Sequence, residues 1–239
     1  MNPKIKILIV EDDPYLGMIM QECLEARDFN THLLASGRDG LNAYLELKPD
    51  ICILDVMLPM MDGFTIAKKI REKDTQTPII FLTARSLKED VTEGFSIGAD
   101  DYVKKPFSIE ELIMRVHAIL KRTSNQAVNN QLQKNEPVKI GNFVFDFEKQ
   151  TLNSVSKKQK LTALEADLLK MLCENMNATL QRNEALIKLW GDDNFFNARS
   201  MDVYITRLRK HLKTDASVEI INIRGKGYKL LLLEDNRAS

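Results

Sequence analysis

The sequence holds few cysteines, few histidines, seven prolines and a single tryptophan, and it has no long apolar run. Cys23, Cys52 and Cys173 are odd in number, far apart and set among apolar neighbours. That argues against a disulfide framework and reads as buried thiols in a reducing compartment. His32, His117 and His211 are equally scattered, which leaves no spacing for a zinc site. The longest early apolar stretch, Ile7 to Val10, stops at Glu11-Asp12-Asp13. It is too short for a signal peptide or a membrane span, so a cytoplasmic protein with no membrane partner is expected. No P-loop occurs, and an ATPase has no support. Net charge is missing too, since 34 basic residues meet 34 acidic ones.

The charge is nevertheless divided. Residues 1–122 carry 16 Lys/Arg against 20 Asp/Glu, and residues 123–239 carry 18 against 14. At 239 residues, 44% hydrophobic and 28% charged, the chain is long enough for two domains with separate cores. An acidic half followed by a basic half suggests a metal or phosphate site followed by a polyanion binder.

The first 122 residues alternate apolar strands with amphipathic helical stretches. Strands are expected over Lys4 to Val10, Thr31 to Ala35, Ile51 to Leu54, Pro78 to Leu82 and Tyr102–Val103. Helices are expected from Pro14 to Arg27, Asp39 to Leu47, Phe64 to Lys73, Leu87 to Ile97, and from a Ser108–Glu111 capping box to Arg122. Five strands interleaved with five helices predict an α/β fold, a doubly wound five-stranded parallel sheet. Residues 123–137, TSNQAVNNQLQKNEP, hold seven Asn or Gln and no apolar period, and read as a flexible linker. Residues 138–239 change to an α+β style. Short strands over Val138 to Leu161 precede a Thr162–Glu165 capping box. Helices follow over Ala163–Met176, Asn183–Trp190 and Ala198–Lys213, and a hairpin, Glu219–Ile223 with Gly227–Leu233, ends the pattern.

In a parallel doubly wound sheet, functional groups gather beyond the carboxyl ends of the strands. There the sequence places Glu11-Asp12-Asp13, Asp55, Thr83 and Lys105. Clustered carboxylates need a cation, and an all-oxygen site suits Mg²⁺, which brings phosphoryl oxygens with it. A lysine charge and a threonine hydroxyl would stabilise those oxygens.

Asp55-x-Met57-x-Pro59 with Gly63, Leu82-Thr83-Ala84, and Gly98-Ala99-Asp100-Asp101-Tyr102 with Lys105-Pro106-Phe107 resemble a two-component receiver domain. The resemblance covers residues 4–122. It implies that Asp55 is the phosphoacceptor, that Asp12 ligates Mg²⁺ directly and Glu11 through water, and that Met57 contributes its carbonyl. Asp13 ranks below Glu11 and Asp12. Lys105 would pair with the phosphoryl group, Thr83 would hydrogen-bond it, Tyr102 would be the switch aromatic, and Lys105-Pro106 would be cis.

In the basic half, Met201, Ile205, Leu208 and Leu212 form an apolar stripe at 100° per residue. Arg199, Val203, Thr206, Arg207 and Lys210 gather opposite it, and Arg224, Lys226 and Lys229 add a second basic projection. Between Arg199 and Lys229 eight basic residues face three acidic ones. A basic helix for the major groove and a basic loop for an adjacent groove predict a winged-helix reader of DNA. Residues 138–233 resemble the OmpR/PhoB winged-helix effector domain through Leu161-Thr162-x-x-Glu165, Leu186 with Trp190-Gly191, Arg199-x-x-Asp202-Val203, Arg207-Leu208-Arg209-Lys210 and Arg224-Gly225-x-Gly227-Tyr228. By that resemblance Arg207 reaches base edges and Arg224 enters the minor groove. Trp190, Arg199, Tyr204, Thr206, Arg209 and Asn222 contact phosphates. The Gly191 to Asn197 loop, with Phe195 and Phe196, meets RNA polymerase in relatives or plugs the domain core.

The expected protein is thus a transcriptional regulator, phosphorylated on Asp55 by a sensor histidine kinase, and no enzyme beyond its own phosphotransfer and dephosphorylation. Phosphorylation would bias a pre-existing equilibrium toward a homodimer. That dimer would use the fourth helix, fifth strand and fifth helix, with Asp100–Arg122 and Asp101–Arg115 ion pairs. The flexible linker would let the pair bind direct-repeat DNA. Glu111 matches the same pattern, but its usual basic partner falls on Val91. The loss weakens dimerisation by up to about thirtyfold. Restoring the charge with Val91→Lys should tighten the dimer in sedimentation. Two alternatives stand beside this reading. One is a regulator that binds DNA constitutively with the receiver as a dimerisation module; the other is a phosphatase with Asp55 as nucleophile, which lacks a second Asp at position 57.

Overall fold

The computed structural model of the protein describes residues 4–84, 97–132, 136–155, 157–191, 193 and 195–233. The chain divides into two compact units, Met1–Leu120 and Lys121–Ser239. In the first, strands β1 (Lys6–Val10), β2 (Asn30–Leu34), β3 (Ile51–Asp55), β4 (Ile79–Thr83) and β5 (Asp101–Lys104) form a parallel sheet ordered β2-β1-β3-β4-β5. Continuous apolar strands are what a sheet covered on both faces requires, and β3 and β4 are buried throughout. Helices α1 (Pro14–Glu25), α2 (Gly37–Leu47), α3 (Gly63–Arg71) and α4 (Ile109–Leu132) are described around it. Alternate residues Ile7, Ile9, Ile51, Ile53, Ile80, Leu82 and Val103 meet Met20 and Leu24 of α1 and Leu112 and Val116 of α4 in one core. The helix expected near Leu87 to Ile97, with Val91, lies outside the described residues apart from Ile97.

Two expectations about α4 are corrected. The Glu111 N–H donates to Ser108 Oγ at 3.1 Å, but the Glu111 carboxylate turns to Arg115, so only half of the capping box forms. The helix also continues to Leu132, so the first ten residues of the expected flexible linker are helical. No Gly or Pro interrupts the sequence between Ser108 and Pro137. Asn and Gln lower helix propensity only mildly, so the helix runs on.

The second unit opens with an antiparallel sheet of β6 (Val138–Ile140), β7 (Phe143–Asp146), β8 (Thr151–Asn153) and β9 (Lys158–Lys160), in that order. Helices α5 (Ala163–Glu174), α6 (Arg182–Trp190) and α7 (Phe195–Leu212) follow. A second sheet is ordered β10-β12-β11, from β10 (Leu180–Gln181), β11 (Val218–Ile223) and β12 (Gly227–Leu232). The Thr162–Glu165 capping box of α5 is complete. On α7 the stripe Met201, Ile205, Leu208 and Leu212 is buried as expected, and Tyr204 joins it. Gly227 makes the three-stranded sheet feasible, because a Cβ there would lie 2.0 Å from the Leu180 carbonyl oxygen.

The cysteines are free, Cys52 buried and the other two half-buried. Burial pushes the Cys52 and Cys173 thiols up to about 12, which keeps them protonated. Among the described residues no helix is long and apolar enough to cross a membrane.

Candidate phosphoacceptor site and nucleic-acid interface

Strand register brings the receiver site together. Val10 pairs with Leu54 and Asp55 with Leu82, so Glu11 follows β1 beside the end of β3. Asp55 and Glu11 are buried, and Asp12 is exposed. Nζ of Lys105, just past β5, lies 2.6 Å from Asp55 Oδ2 and 2.7 Å from both Glu11 carboxylate oxygens. The Met57 N–H donates to Asp55 Oδ1 at 2.8 Å. Ligand oxygens of Glu11, Asp12 and Asp55 lie within 4.8 Å of one another. Burial, reinforced by the Asp55 charge, pushes the Glu11 carboxyl up to about 7 against the pull of Lys105. Burial lowers Lys105, but the two carboxylates outweigh it and hold the ammonium firmly charged. Three convergent carboxylates, two of them bridged by Lys105, form an all-oxygen donor set that fits Mg²⁺. Asp13 does different work: its Oδ1 accepts from the Tyr15 and Leu16 N–H groups and caps α1.

The first turn of α3 packs directly on the backbone of Asp55. A Cβ on Gly63 would sit 2.2 Å from the Asp55 carbonyl oxygen and 3.2 Å from Val56 Cα. Gly63→Ala is expected to destabilise the first unit by about 1–3 kcal/mol, as overpacking against backbone does. A melting temperature equal to that of the parent would show that α3 can retreat without loss.

Thr83 ends β4, buried, and its carbonyl accepts the Lys105 N–H at 2.8 Å. Lys105-Pro106 is cis, as the resemblance implied. Tyr102 is turned inward, 2% exposed, with its ring 5.2 Å from that of Phe81.

The expected dimer ion pairs take a different form. Asp100 is buried, where its Oδ2 accepts from Arg71 at 3.2 Å and from the Ile79 N–H at 3.0 Å. Asp100 is thus engaged within its own chain by Arg71 and the Ile79 N–H. The Arg122 side chain lies outside the described residues. Arg115 binds Asp101 and Glu111 within its own chain, each at 2.9 Å, and is itself largely buried.

In the second unit the predicted DNA-binding residues separate into two groups. Val203 and Arg199 are half-buried on α7, and Thr206, Arg209 and Lys210 are exposed. Asn222 on β11 and Arg224 and Lys226 on the turn after it are also exposed. Tyr204 is fully buried and Trp190 is 5% exposed, with ring centroids 6.3 Å apart. Tyr204 therefore belongs to the core, which corrects its assignment as a phosphate contact, and Trp190 is chiefly core as well. Arg207 is drawn inward: its Nε lies 2.9 Å from the carboxylate of Glu165, and its guanidinium sits 5.6 Å over the Tyr204 ring. His211 Nε2 approaches the same Glu165 oxygen at 3.0 Å. Arg209 Nε donates to the Ile220 carbonyl at 2.8 Å. The loop expected from Gly191 to Asn197 is shorter, since α7 starts at Phe195; the Phe195 and Phe196 side chains lie outside the described residues.

Sequence reasoning missed a knot that joins these elements. Arg182 NH1 lies 2.7 Å from Asp202 and donates to the Tyr228 hydroxyl at 2.9 Å, while its NH2 donates to the Ala198 carbonyl at 2.7 Å. The Tyr228 hydroxyl in turn donates to Asp202. Asp202 and Tyr228 stand in quoted motifs; only their pairing across 26 positions was invisible.

A parallel sheet with this acidic edge has the architecture of a receiver, and a helix-and-hairpin unit after it that of a DNA-binding effector. Residues 7–117 match the response regulator receiver domain, and residues 156–230 match the C-terminal domain of transcriptional regulatory proteins. The chain is 52% identical over 234 residues to transcriptional regulatory protein RprY of Bacteroides fragilis, covering 98% of each. It is 40% identical over 225 residues to heme response regulator HssR of Staphylococcus saprophyticus, covering 93% of this chain and 96% of that one. A solved RitR mutant superposes with TM-score 0.74 at 25% identity, covering 95% of this chain and 99% of that one. DrrB, a Thermotoga maritima OmpR/PhoB homologue, superposes with TM-score 0.52 at 32% identity, covering 96% and 100%. The chain belongs to the two-component response regulators of the OmpR/PhoB family. It is a transcriptional regulator with a receiver and a DNA-binding domain, not an enzyme, and a histidine kinase and DNA are the partners its family implies.

Proposed function

We propose that Asp55 accepts a phosphoryl group from a sensor histidine kinase in the cytoplasm, and that the modified receiver pairs with a second copy. Two effector domains then engage a direct repeat in DNA, with the segment at residues 191–197 available to RNA polymerase. The observation that carries this reading is the Lys105 ammonium within 2.7 Å of both Asp55 and Glu11. Glu11, Asp12, Asp55 and the Met57 carbonyl would hold Mg²⁺, which when bound neutralises phosphoryl oxygens. A carboxylate oxygen of Asp55 attacks phosphorus as the bond to the donor nitrogen breaks. Lys105 then moves from a carboxylate pair to a phosphoryl oxygen, and the Thr83 hydroxyl supplies a hydrogen bond. The modification adds about 1.5 to 2 negative charges at this edge, and the β5–α4 face transmits the change.

Asp55→Asn is expected to abolish Mg²⁺-dependent labelling by a radioactive small phosphodonor. Labelling that survives would refute the assignment. One observation favours the constitutive alternative: Tyr102 is already inward, the position expected of the activated state. Sedimentation of the full chain with Mg²⁺, with and without beryllofluoride, separates the two. A monomer that becomes a dimer supports phosphorylation control; a dimer under both conditions supports the alternative.

A further inference from the structure

We propose that His211 couples DNA binding to the uptake of a proton, through the buried carboxylate that it shares with Arg207. This rests on the DNA-binding reading above.

Glu165 is 1% exposed, and both of its oxygens are engaged. Oε2 accepts the Thr162 N–H at 2.8 Å and the Thr162 hydroxyl at 3.0 Å. Oε1 takes Arg207 Nε at 2.9 Å and His211 Nε2 at 3.0 Å. A carboxylate offers about four acceptor sites, so Arg207 and His211 divide one oxygen between them. The two residues stand one turn apart on α7 and are neighbours on its surface. The contact with Arg207 uses Nε, so the two terminal nitrogens remain the leading end of the side chain. The Tyr204 ring, 5.6 Å from the guanidinium, steadies it from another side. Glu165 therefore aims Arg207 without withholding it, and a change of charge at His211 is felt by both.

The surroundings of His211 suit either charge. Its side chain is 15% exposed and touches α5 through Glu165 and β9 through Gln159. With Nε2–H donated to Glu165, a neutral ring has a bare Nδ1, and the Gln159 amide nitrogen meets it. With a proton at Nδ1, the same amide turned over offers its oxygen instead. Histidine is the side chain whose charge changes near neutral pH. From α5 the facing charge is Glu165, and on α7 itself the neighbouring cations are Arg207 and Lys210. On β9, Lys158 and Lys160 flank Gln159 and leave the sheet by its other face. While the ring is neutral, the Glu165 and Arg207 charges cancel. An imidazolium sets two cations against one carboxylate, on the helix expected to enter the major groove. A polyanion favours that state, and by linkage the proton then favours the duplex. One added charge about 8 Å from a phosphate is worth about twofold in affinity in water, and two such phosphates about fourfold.

The test begins with full-length protein, Mg²⁺ and beryllofluoride, selecting from a random duplex library at pH 7. Affinity for the selected duplex is then measured at pH 8, 7 and 6 at one salt concentration. His211→Gln holds the position neutral, and His211→Lys holds it charged. The parent should bind about fourfold more tightly at pH 6 than at pH 8. The glutamine variant should lose that gain, and the lysine variant should already bind at pH 8 as the parent does at pH 6. His32 and His117 lie in the receiver, which all three proteins share, so their titration cancels in the comparison. Calorimetry in buffers of different ionisation enthalpy should show proton uptake on binding by the parent at pH 7, and less by both variants. A histidine with a merely structural role would leave that uptake unchanged. The proposal fails if parent and His211→Gln share one pH profile, or if His211→Lys gains nothing at pH 8. A parent that selects no sequence at all overturns the DNA-reading assignment itself, and this proposal with it.

Discussion

Glu165→Ala should lower the stability of the effector domain by about 3–5 kcal/mol, the loss typical of a buried ionic group stripped of one partner. Glu165 is nearly fully buried and does three things at once. It completes the capping box at the start of α5, and its carboxylate takes Arg207 Nε and His211 Nε2 from α7. Alanine leaves a guanidinium without its anion and removes the reciprocal bond to the Thr162 N–H. The domain transition in calorimetry of the full chain should drop sharply while the receiver transition stays in place. Glu165→Gln should retain part of the cap and fall between. Equal melting of all three proteins would mean that α5 and α7 are held by apolar packing alone.

The same carboxylate predicts a pH dependence. Burial alone would raise its pKa, but the His211 hydrogen bond and the Arg207 charge outweigh it and leave it below the ordinary carboxylate value. A depressed folded pKa contributes stability that is present above the unfolded value, about 4.3, and is lost as pH falls through the folded one. The acid limb of the effector transition should therefore be steep in the parent and flatter in Glu165→Ala.

Lys105→Ala should have the second largest effect, and its size depends on Mg²⁺. Without the ammonium, Asp55 and Glu11 face one another buried and without the cation between them. A loss of about 3 kcal/mol is expected in metal-free buffer at pH 8. A divalent cation bound to the folded state stabilises it by mass action, and it has more to relieve when no lysine competes for the carboxylates. Millimolar Mg²⁺ should therefore raise the melting temperature of the variant more than that of the parent. Equal Mg²⁺ shifts in the two proteins would mean that Lys105 does not compete for the site.

The parts of the molecule that repeat a short period were legible in the sequence. Alternating apolar strands and helical stripes placed β1 to β5 and the core of α7, and the carboxyl ends of the strands placed Asp55, Glu11, Thr83 and Lys105. What escaped was set by partners distant in sequence. The two-residue β10 carries no period of its own and exists because β12 offers it an edge at Gly227. The wheel put Arg207 outside, since periodicity gives an angle but not the carboxylate 42 positions earlier that attracts it. Asp100 looked like a surface charge until Arg71 and the Ile79 N–H closed over it. The extension of α4 was hidden by composition, because Asn and Gln suggest a linker without forbidding a helix.

The Arg182–Asp202–Tyr228 knot carries a consequence for the duplex. It fastens the start of α6, the middle of α7 and the base of the hairpin through charged and phenolic groups. The recognition helix and the hairpin that ends in Arg224 and Lys226 are then a calliper with its jaws set. A docked duplex cannot draw the jaws together or apart, so any mismatch is borne by the DNA as bending or a change in groove width. Sequences differ in the energy of such deformation. Base pairs that no side chain touches would then influence affinity, and loosening the calliper with Asp202→Ala would flatten that dependence.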